Sequence, residues 1–415
     1  MAWTSGDNGL HYSSTPSPND VSTGSDSVGQ ESGFEPGGGD TDDAVATALN
    51  ASGTYNAYVV SLSLANIDVS TSTDNGASWS LNPVTALPID DRPWVAATGA
   101  SKVCISYLTA PGVLVPQVGL HVECSSDAGH TFTQIADAYD TSSVGLAASQ
   151  GGSRTGNLQF DPSNPSYLYA VFAYENIEDG PNPNAFLHNV GIAVSSDGGV
   201  TWHDYPVRVD PDVTAKYDNQ FVNVAVDKGG TVYVAYSDNH GLFYQYSTNH
   251  GQTFSAPRQV SQGSDTAVMP WLAAGDAGKV DLVYYQATGY SGNPETASIS
   301  VPWKVVMAQS LMAATTSAGF SYTTVNPVVH HGGVCEGGAL CTGNRDLYDD
   351  FGIEASPTTG LASIIYSDDQ YQNDANHQPY AVFGCTASGT DTSTCQHTNV
   401  ATQTSGNGIY AVKKK

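Results

Sequence analysis

The stretch STDNGASW, residues 72–79, recurs three more times along the chain with its pattern of residue types kept. The further copies are SSDAGHTF at 125–132, SSDGGVTW at 195–202 and STNHGQTF at 247–254. An Asp or Asn side chain at the third position folds back onto turn amides, and the glycine two residues later adopts positive φ. Each octet therefore predicts a hairpin turn whose last aromatic residue begins the next strand.

Short strand-like runs precede every octet, and two further units keep the strands without the octet. The unit of this repeat is one small antiparallel sheet that cannot bury both of its faces alone. The sequence predicts an all-β fold, a six-bladed β-propeller with four-stranded antiparallel blades, with seven blades as the alternative.

The domain organisation follows from these units. We expect residues 1–39 to form an N-terminal extension that wraps the outside or is mobile, and residues 40–412 to form one propeller domain. Residues 413–415 form a basic tail. Residues 408–412 are predicted to form a closing strand that pairs with the N-terminal region.

Charge and cysteine content restrict the partners and the compartment. The chain has 40 acidic and 13 basic residues, a net charge of −27, which argues against nucleic acids and anionic surfaces. No apolar run is long enough for a membrane span. The six cysteines lie as near neighbours, which predicts three local disulfides and a secreted, extracellular protein. The predicted pairs are Cys104 with Cys124, Cys335 with Cys341, and Cys385 with Cys395.

The octets resemble the Asp boxes, or BNR repeats, of sialidase-like propellers, and the resemblance covers residues 40–400 as architecture. It implies that Asp74, Asp127, Asp197 and Asn249 are structural, because Asp boxes lie on the face opposite the active site. The long loops are then expected on the functional face, at the other ends of the strands. Such loops carry binding sites over a rigid scaffold.

Three of the five arginines fall where the innermost strands begin: Arg92, Arg154 and Arg345. Arginine binds carboxylates with two parallel hydrogen bonds, and the resemblance implies an arginine clamp on the substrate. The resemblance also implies an Arg-Ile-Pro motif, a tyrosine nucleophile and an aspartate acid/base. The nearest match, DRPW at 91–94, lies in the second blade and lacks the isoleucine.

The carboxylates at the same strand starts are candidates for glycoside cleavage, which needs two carboxyl groups. We expect Asp91, Asp349 and Asp350 to act as acid/base groups and Tyr348 to act as the nucleophile. Substrate binding is assigned to the three arginines and to Asn157, Asp218, Asn219 and Trp271. No cofactor is required, but the same ring could ligate Ca²⁺ through Asp43, Asp218 and Asp349.

His330 and His331 precede Cys335 without a third ligand at metal-site spacing, so we expect two exposed histidines on a disulfide-braced loop. The functional hypothesis is a secreted glycoside hydrolase acting on extracellular carbohydrate with paired carboxylates on the long-loop face. The alternative is a non-catalytic propeller that binds a glycan or a protein and is stabilised by calcium. A monomer is expected in both cases.

Overall fold

A computed structural model of the chain describes residues 2–5, 7, 9, 11–15, 41–63, 66–84, 90–109, 118–179, 186–217, 221–335, 347, 351–370 and 397–411. At some strand ends, including Asp90 and Asp91, only the backbone is described. The chain divides into two compact units, residues 1–209 with 250–253, and residues 210–249 with 254–415.

The first unit contains three four-stranded antiparallel sheets in chain order. The first sheet is β3 (Thr41–Val45), β4 (Ala57–Ser63), β5 (Asn66–Ser72) and β6 (Ser80–Pro83). The second is β7 (Asp90–Thr98), β8 (Lys102–Thr109), β9 (Gly119–Ser125) and β10 (Gln134–Asp137). The third is β11 (Ser153–Phe160), β12 (Leu168–Tyr174), β13 (Asn189–Ser195) and β14 (His203–Val209). A separate hairpin pairs β1 (Ala2–Thr4) with β2 (Ser13–Thr15).

The second unit contains the other three sheets. The fourth sheet is β15 (Asn223–Val226), β16 (Val232–Ser237), β17 (Leu242–Ser247) and β18 (Arg258–Gln259). The fifth is β19 (Ala267–Ala274), β20 (Val280–Ala287), β21 (Pro302–Ser310) and β22 (Ser321–His331). The sixth has three strands among the described residues, β23 (Gly352–Ala355), β24 (Ala362–Asp368) and β25 (His397–Thr402). The predicted six-bladed β-propeller is confirmed, and the seven-blade alternative is wrong.

Burial of both faces explains why the central strands read as continuous apolar runs. All seven residues of β12 and of β13 are buried, and so are all eight of β20. Each large apolar side chain buried in this way contributes about 1.5–3 kcal/mol to folding. Small sheets of this composition are stable only when neighbouring sheets cover them.

The four octets form the predicted turns, each between the third and fourth strands of a sheet. In the first turn, Asp74 Oδ1 accepts a hydrogen bond from the Ser78 amide at 2.8 Å, and Ser72 Oγ accepts one from the Gly76 amide at 2.8 Å. The equivalent bonds to Asp127 and Asp197 are both 2.9 Å long. The structural role predicted for these aspartates is confirmed.

A fifth turn of this kind, residues 5–12, lies in the β1–β2 hairpin and was not identified from the sequence. Its Gly9 amide donates to Ser5 Oγ, and its His11 amide donates to Asp7 Oδ1, both at 2.8 Å. His11 Nδ1 lies 2.5 Å from Asp7 Oδ2, the place that a serine or threonine hydroxyl takes in the other aspartate turns. The histidine and the final tyrosine depart from the pattern used to find the repeats.

The segment between β10 and β11, which the sequence predicts as a long loop, contains helix α1 (Ser143–Gln150). Ser142 is its N-cap and accepts a hydrogen bond from the Gly145 amide at 3.2 Å. Val144, Ala147 and Ala148 are buried. These small side chains lack the strong apolar periodicity by which an amphipathic helix is recognised.

The segment around Ile409, near the C-terminus, makes other contacts than those predicted. The Ile409 amide donates to the Gly360 carbonyl at 2.9 Å, and the Asp276 amide donates to the Ile409 carbonyl at 2.9 Å. Within the described residues this segment therefore binds turns of the fifth and sixth sheets, instead of pairing with the N-terminal region. Ile409 is completely buried, so its side chain anchors the segment.

The disulfide predicted between Cys104 and Cys124 is confirmed, and its cysteines face each other across β8 and β9. Cys335 is also disulfide-bonded. Cys341, Cys385 and Cys395 lie outside the described residues. No helix in the described ranges combines the length and apolarity needed to cross a bilayer.

Candidate functional site

The innermost strands of the first unit, β3, β7 and β11, lie side by side. Asp42 Oδ2 accepts a hydrogen bond from the Val95 amide at 2.8 Å, which joins β3 to β7. Trp94 Nε1 donates to Thr155 Oγ1 at 3.2 Å, which joins β7 to β11. Beyond the other end of β3, Thr47 Oγ1 accepts from the Gly99 amide at 2.8 Å. The strands β3 and β7 therefore run in the same direction, and their first residues share one face.

Four of the predicted site residues lie at or near the starts of these strands: Asp43, Arg92, Arg154 and Asn157. Both arginines are half-buried, and Asp43 is exposed. Asn157 is buried, with 8% of its surface accessible. The backbone of Asp91 also belongs to the start of β7. These residues belong to three adjoining innermost strands of the first unit, and the Asp42–Val95 hydrogen bond sets Asp43 further along its strand than Arg92 is along β7.

The remaining predicted site residues cannot be placed against this group. Trp271 belongs to β19 in the second unit and is half-buried. The others lie outside the described residues, and their assignments stay predictions: Asp218, Asn219, Arg345, Tyr348, Asp349 and Asp350.

Arg92 lies in a β-bulge. The pairing of β7 with β8 shifts between Asp91 and Trp94, and Arg92 has φ +53°. The same irregularity occurs in β19, where Met269 has φ +56° and also precedes a proline. Bulges redirect side chains at the ends of strands. Because methionine occupies the second bulge, the backbone geometry belongs to the scaffold and the guanidinium is the feature specific to the first unit.

Asp42 and Asp43 differ in role although they are neighbours in β3. Burial, with a smaller effect of the Asp43 charge, raises the pKa of Asp42 to about 8. In the second unit Asn223 takes the corresponding role and accepts from the Leu272 amide at 2.8 Å. An amide performs the same function there, so Asp42 is a structural acceptor joining two sheets.

Asp43 is the chemically available carboxyl group of the pair. Burial raises its pKa although its side chain keeps an exposed surface. A carboxyl group whose pKa is raised holds its proton at higher pH than usual, which is the property of a general acid.

A cluster of polar side chains follows β12. The Glu175 amide donates to the Gly152 carbonyl at 3.2 Å, two residues before Arg154, and burial raises the pKa of its carboxyl. Buried His188 Nε2 lies 3.1 Å from Asn176 Nδ2 and 3.3 Å from Asp179 Oδ2. No sequence motif marks this histidine, because its partners come from the other end of a long loop.

The calcium site stays a prediction, because two of its three proposed ligands lie outside the described residues. Across the described residues, no group of three or more His, Cys, Asp and Glu side chains is placed to hold a metal ion. Of the three predicted ligands only Asp43 is described, while Asp218 and Asp349 are not.

The expectation of two exposed histidines before Cys335 is wrong for His330, which is completely buried. Its Nδ1 lies 2.6 Å from Asp369 Oδ2 and its Nε2 lies 3.1 Å from the Gly333 carbonyl. Both ring nitrogens lie within hydrogen-bond distance of oxygen atoms. This histidine braces the loop rather than facing solvent.

No family model matches the sequence, and no curated protein matches it. Solved structures do match. A protein of unknown function from Dyadobacter fermentans is 14% identical, with 79% of this chain and 89% of that chain covered and a TM-score of 0.50. An α-L-arabinanase from Penicillium chrysogenum is 11% identical, with 79% and 88% covered and a TM-score of 0.46. The intramolecular trans-sialidase from Ruminococcus gnavus is 10% identical, with 78% and 89% covered and a TM-score of 0.43.

These identities are low, and the likeness to the Dyadobacter fermentans protein is a likeness of fold. The Asp-box turns and the six sheets support the same conclusion from the chain itself. The architecture is that of a six-bladed β-propeller.

Proposed function

We propose that the protein is a carbohydrate-active propeller that hydrolyses glycosides at the starts of β3, β7 and β11. One observation carries the proposal: Asp43, an exposed carboxyl group whose pKa burial raises, lies in β3, and the adjoining innermost strands β7 and β11 carry Arg92 and Arg154. A proton donor and two guanidinium groups on three adjoining strands suit the cleavage of a polar, hydroxyl-rich substrate.

The chemistry assigns separate roles to these groups. Asp43 would donate a proton to the glycosidic oxygen, since burial raises the pKa of its carboxyl group. A second carboxylate would act as nucleophile or base, and Asp91, Asp349 and Asp350 are the sequence candidates. Arg92 and Arg154 would hold substrate oxygens. The net charge of −27 favours a neutral sugar over an anionic one.

The test is a hydrolysis screen over neutral and acidic glycosides with three variants. We expect Asp43→Asn to lower kcat by about 100-fold or more, the usual scale for a general acid. Arg92→Met should lower kcat/KM while preserving the bulge, because Met269 occupies the equivalent bulge of β19. Asp127→Asn is the control, since Asn249 takes that place in the fourth octet, and it should keep full activity.

Hydrolysis that survives Asp43→Asn unchanged would remove Asp43 from the mechanism. Absence of turnover on every glycoside would favour the second candidate, a non-catalytic propeller that binds glycans. One observation favours that candidate. The carboxyl group of Asp42, next to Asp43, accepts a hydrogen bond from the Val95 amide and so stabilises the scaffold. A glycan array showing binding without product would support it.

The proposal includes secretion. The disulfide between Cys104 and Cys124 and the bonded state of Cys335 suit an oxidising compartment. Recovery of the native protein in the culture medium with both cysteines of this pair oxidised is the expected result. Reduced cysteines in protein isolated under thiol-blocking conditions would contradict it.

A further inference from the structure

His188 is completely buried where the loop between β12 and β13 ends. Its Nδ1 lies 2.8 Å from the Phe186 carbonyl oxygen. Because a carbonyl oxygen can only accept a hydrogen bond, Nδ1 carries a proton in this arrangement. A neutral imidazole has a single ring proton, so Nε2 is then an acceptor, and it becomes a donor only when the ring takes up a second proton.

Two groups of opposite hydrogen-bonding character face Nε2 of His188. Asn176 Nδ2 lies 3.1 Å from it, and Asp179 Oδ2 lies 3.3 Å from it. The orientation of the Asn176 amide is set by Asn189, whose Nδ2 donates to Asn176 Oδ1 at 3.4 Å. The amide nitrogen needs an acceptor and the carboxylate oxygen needs a donor, so one form of the imidazole cannot satisfy both.

The Asp179 carboxylate is the group that a neutral His188 leaves unsatisfied. Among the residues that the structure describes, its Oδ2 is buried and has no hydrogen-bond partner, although the side chain as a whole is 16% exposed. An unpaired carboxylate oxygen in a buried position is unfavourable. A proton on Nε2 of His188 would supply both the missing donor and an opposite charge.

Glu175, the residue after β12, is a second carboxyl group that interacts electrostatically with His188. Burial raises the pKa of Glu175, the charge of Asp179 adds to this rise, and a charge on His188 opposes it. Glu178 is exposed, helix α1 packs against the same turn without any charged residue, and β11 contributes Arg154. The two carboxyl groups that interact with the imidazole therefore both favour its charged form.

We propose that His188 is a pH-dependent switch in the loop between β12 and β13. In the neutral form, Nε2 accepts a hydrogen bond from the Asn176 amide. In the protonated form, Nε2 donates to Asp179 and the Asn176 amide turns away. The proton comes from water, and histidine ordinarily changes its charge between about pH 5 and pH 8. Because the Glu175 amide donates to the Gly152 carbonyl at 3.2 Å, the switch acts beside the start of β11.

The switch is tested by nuclear magnetic resonance on the isotope-labelled full chain, from about pH 5 to pH 8. The nitrogen shifts of the His188 ring report which ring nitrogen carries a proton, and the side-chain amide signals of Asn176 report its hydrogen bond. We expect Nε2 to lose its proton as the pH rises, and the Asn176 amide signals to move with the same midpoint. This measurement on the wild type needs neither a variant nor a substrate.

Two variants should move the midpoint of the His188 titration in opposite directions. Asp179→Asn removes the charge that favours the protonated ring, so we expect the midpoint to fall by about 1 pH unit or more. Asn176→Ala removes the donor that favours the neutral ring, so we expect the midpoint to rise. Asp140→Asn is the matched control, because Asp140 Oδ2 lies 3.4 Å from Nδ1 of the exposed His203. It should change the titration of His203 and leave that of His188 unchanged.

The switch is overturned if Nε2 of His188 keeps the same protonation over the whole pH range, or if it titrates while the Asn176 amide signals stay in place. Midpoint shifts of the same sign in Asp179→Asn and Asn176→Ala would overturn it as well. The titration is independent of the hydrolysis screen, so failure of the switch and failure of the enzymatic proposal are distinguishable.

Discussion

Asp42 and Asn223 accept the same kind of hydrogen bond in two different sheets, from Val95 and from Leu272. The amide needs no proton for this purpose, whereas the carboxyl group is best accommodated in its neutral form, because burial raises its pKa to about 8. Between about pH 4 and pH 8 the folded protein keeps a proton at Asp42 that the unfolded chain has lost. Stability contributed by this site therefore falls as the pH rises through that range.

We predict that Asp42→Asn removes this loss of stability at higher pH. The variant and the wild type should melt at similar temperatures at pH 4, and the variant should melt about 2–4 °C higher at pH 8. Differential scanning calorimetry at both pH values measures the difference. If the melting temperatures of the variant and the wild type differ by the same amount at both pH values, the proton on Asp42 does not cause the difference.

The sequence indicated which types of residue lie at the strand starts, but it did not indicate which residues they contact. Arg92 and Arg154 are found at the strand starts where the blade pattern placed them. The distinction between Asp42 and Asp43 needs the neighbouring strand, since it depends on which carboxyl group meets the Val95 amide. His188 is similar, because its partners Asn176 and Asp179 become neighbours only when the loop folds.

The turn elements show how the octets stabilise the sheets. Gly129 has φ +79°, and a Cβ added to it would lie 2.7 Å from Thr71 Oγ1 of the preceding sheet. Glycine is needed both for the backbone conformation and for this close approach. The octets thus form turns within their own sheets and also pack against the neighbouring sheet.

We predict that Gly129→Ala lowers the free energy of unfolding by about 1–3 kcal/mol. Ala128, the preceding residue, already has φ +62°, so Ala128→Gly in the same turn should have the opposite sign and raise stability slightly. Urea denaturation of the two variants gives both values. Equal destabilisation by both changes would contradict the argument from positive φ.

Turns were predictable at this scale because their hydrogen bonds are local. An Asp side chain, a glycine and a hydroxyl within eight residues form the whole motif, as Asp127 and Thr131 show. The fifth turn was missed because His11 replaces the hydroxyl donor. Helix α1 was missed because packing of small residues, and not periodicity, determines it.

In the molecule as a whole, one set of carboxyl groups lowers the stability as the pH rises, and another set lowers it as the pH falls. Burial raises the pKa of Asp42 and Asp204 to about 8 and that of Asp281 to about 7, so stability falls as the pH rises from about 4 towards 8. Hydrogen bonds in the octets lower the pKa of Asp127 and Asp197 to about 2, and their contribution is lost as the pH falls from about 4 towards 2.

We therefore predict a maximum melting temperature between about pH 4 and pH 5. The net charge of −27 adds repulsion at neutral pH, and salt screens this part of the loss only. A calorimetric series from pH 3 to pH 9, with and without added sodium chloride, separates the two contributions. A melting temperature that rises from pH 5 to pH 8 in both salt conditions would rule out the buried carboxyl groups as its cause.

The propeller itself was predictable because repetition reveals it: six similar units can bury their faces only against one another. The candidate site was less predictable, since it depends on the starts of strands that are far apart in the chain. Asp43 and Arg154 lie on innermost strands that both adjoin β7, which no local pattern contains. The calcium ligands stay a prediction, because Asp218 and Asp349 lie outside the described residues, and the expectation of exposed histidines is wrong for His330.

The paired bulges at Arg92 and Met269 have an evolutionary consequence. The same backbone bulge carries an arginine in one sheet and a methionine in another. The side chain at this corner can therefore vary without a change in the scaffold. A guanidinium can thus be exchanged for an uncharged side chain at this corner while the rest of the blade keeps its conformation.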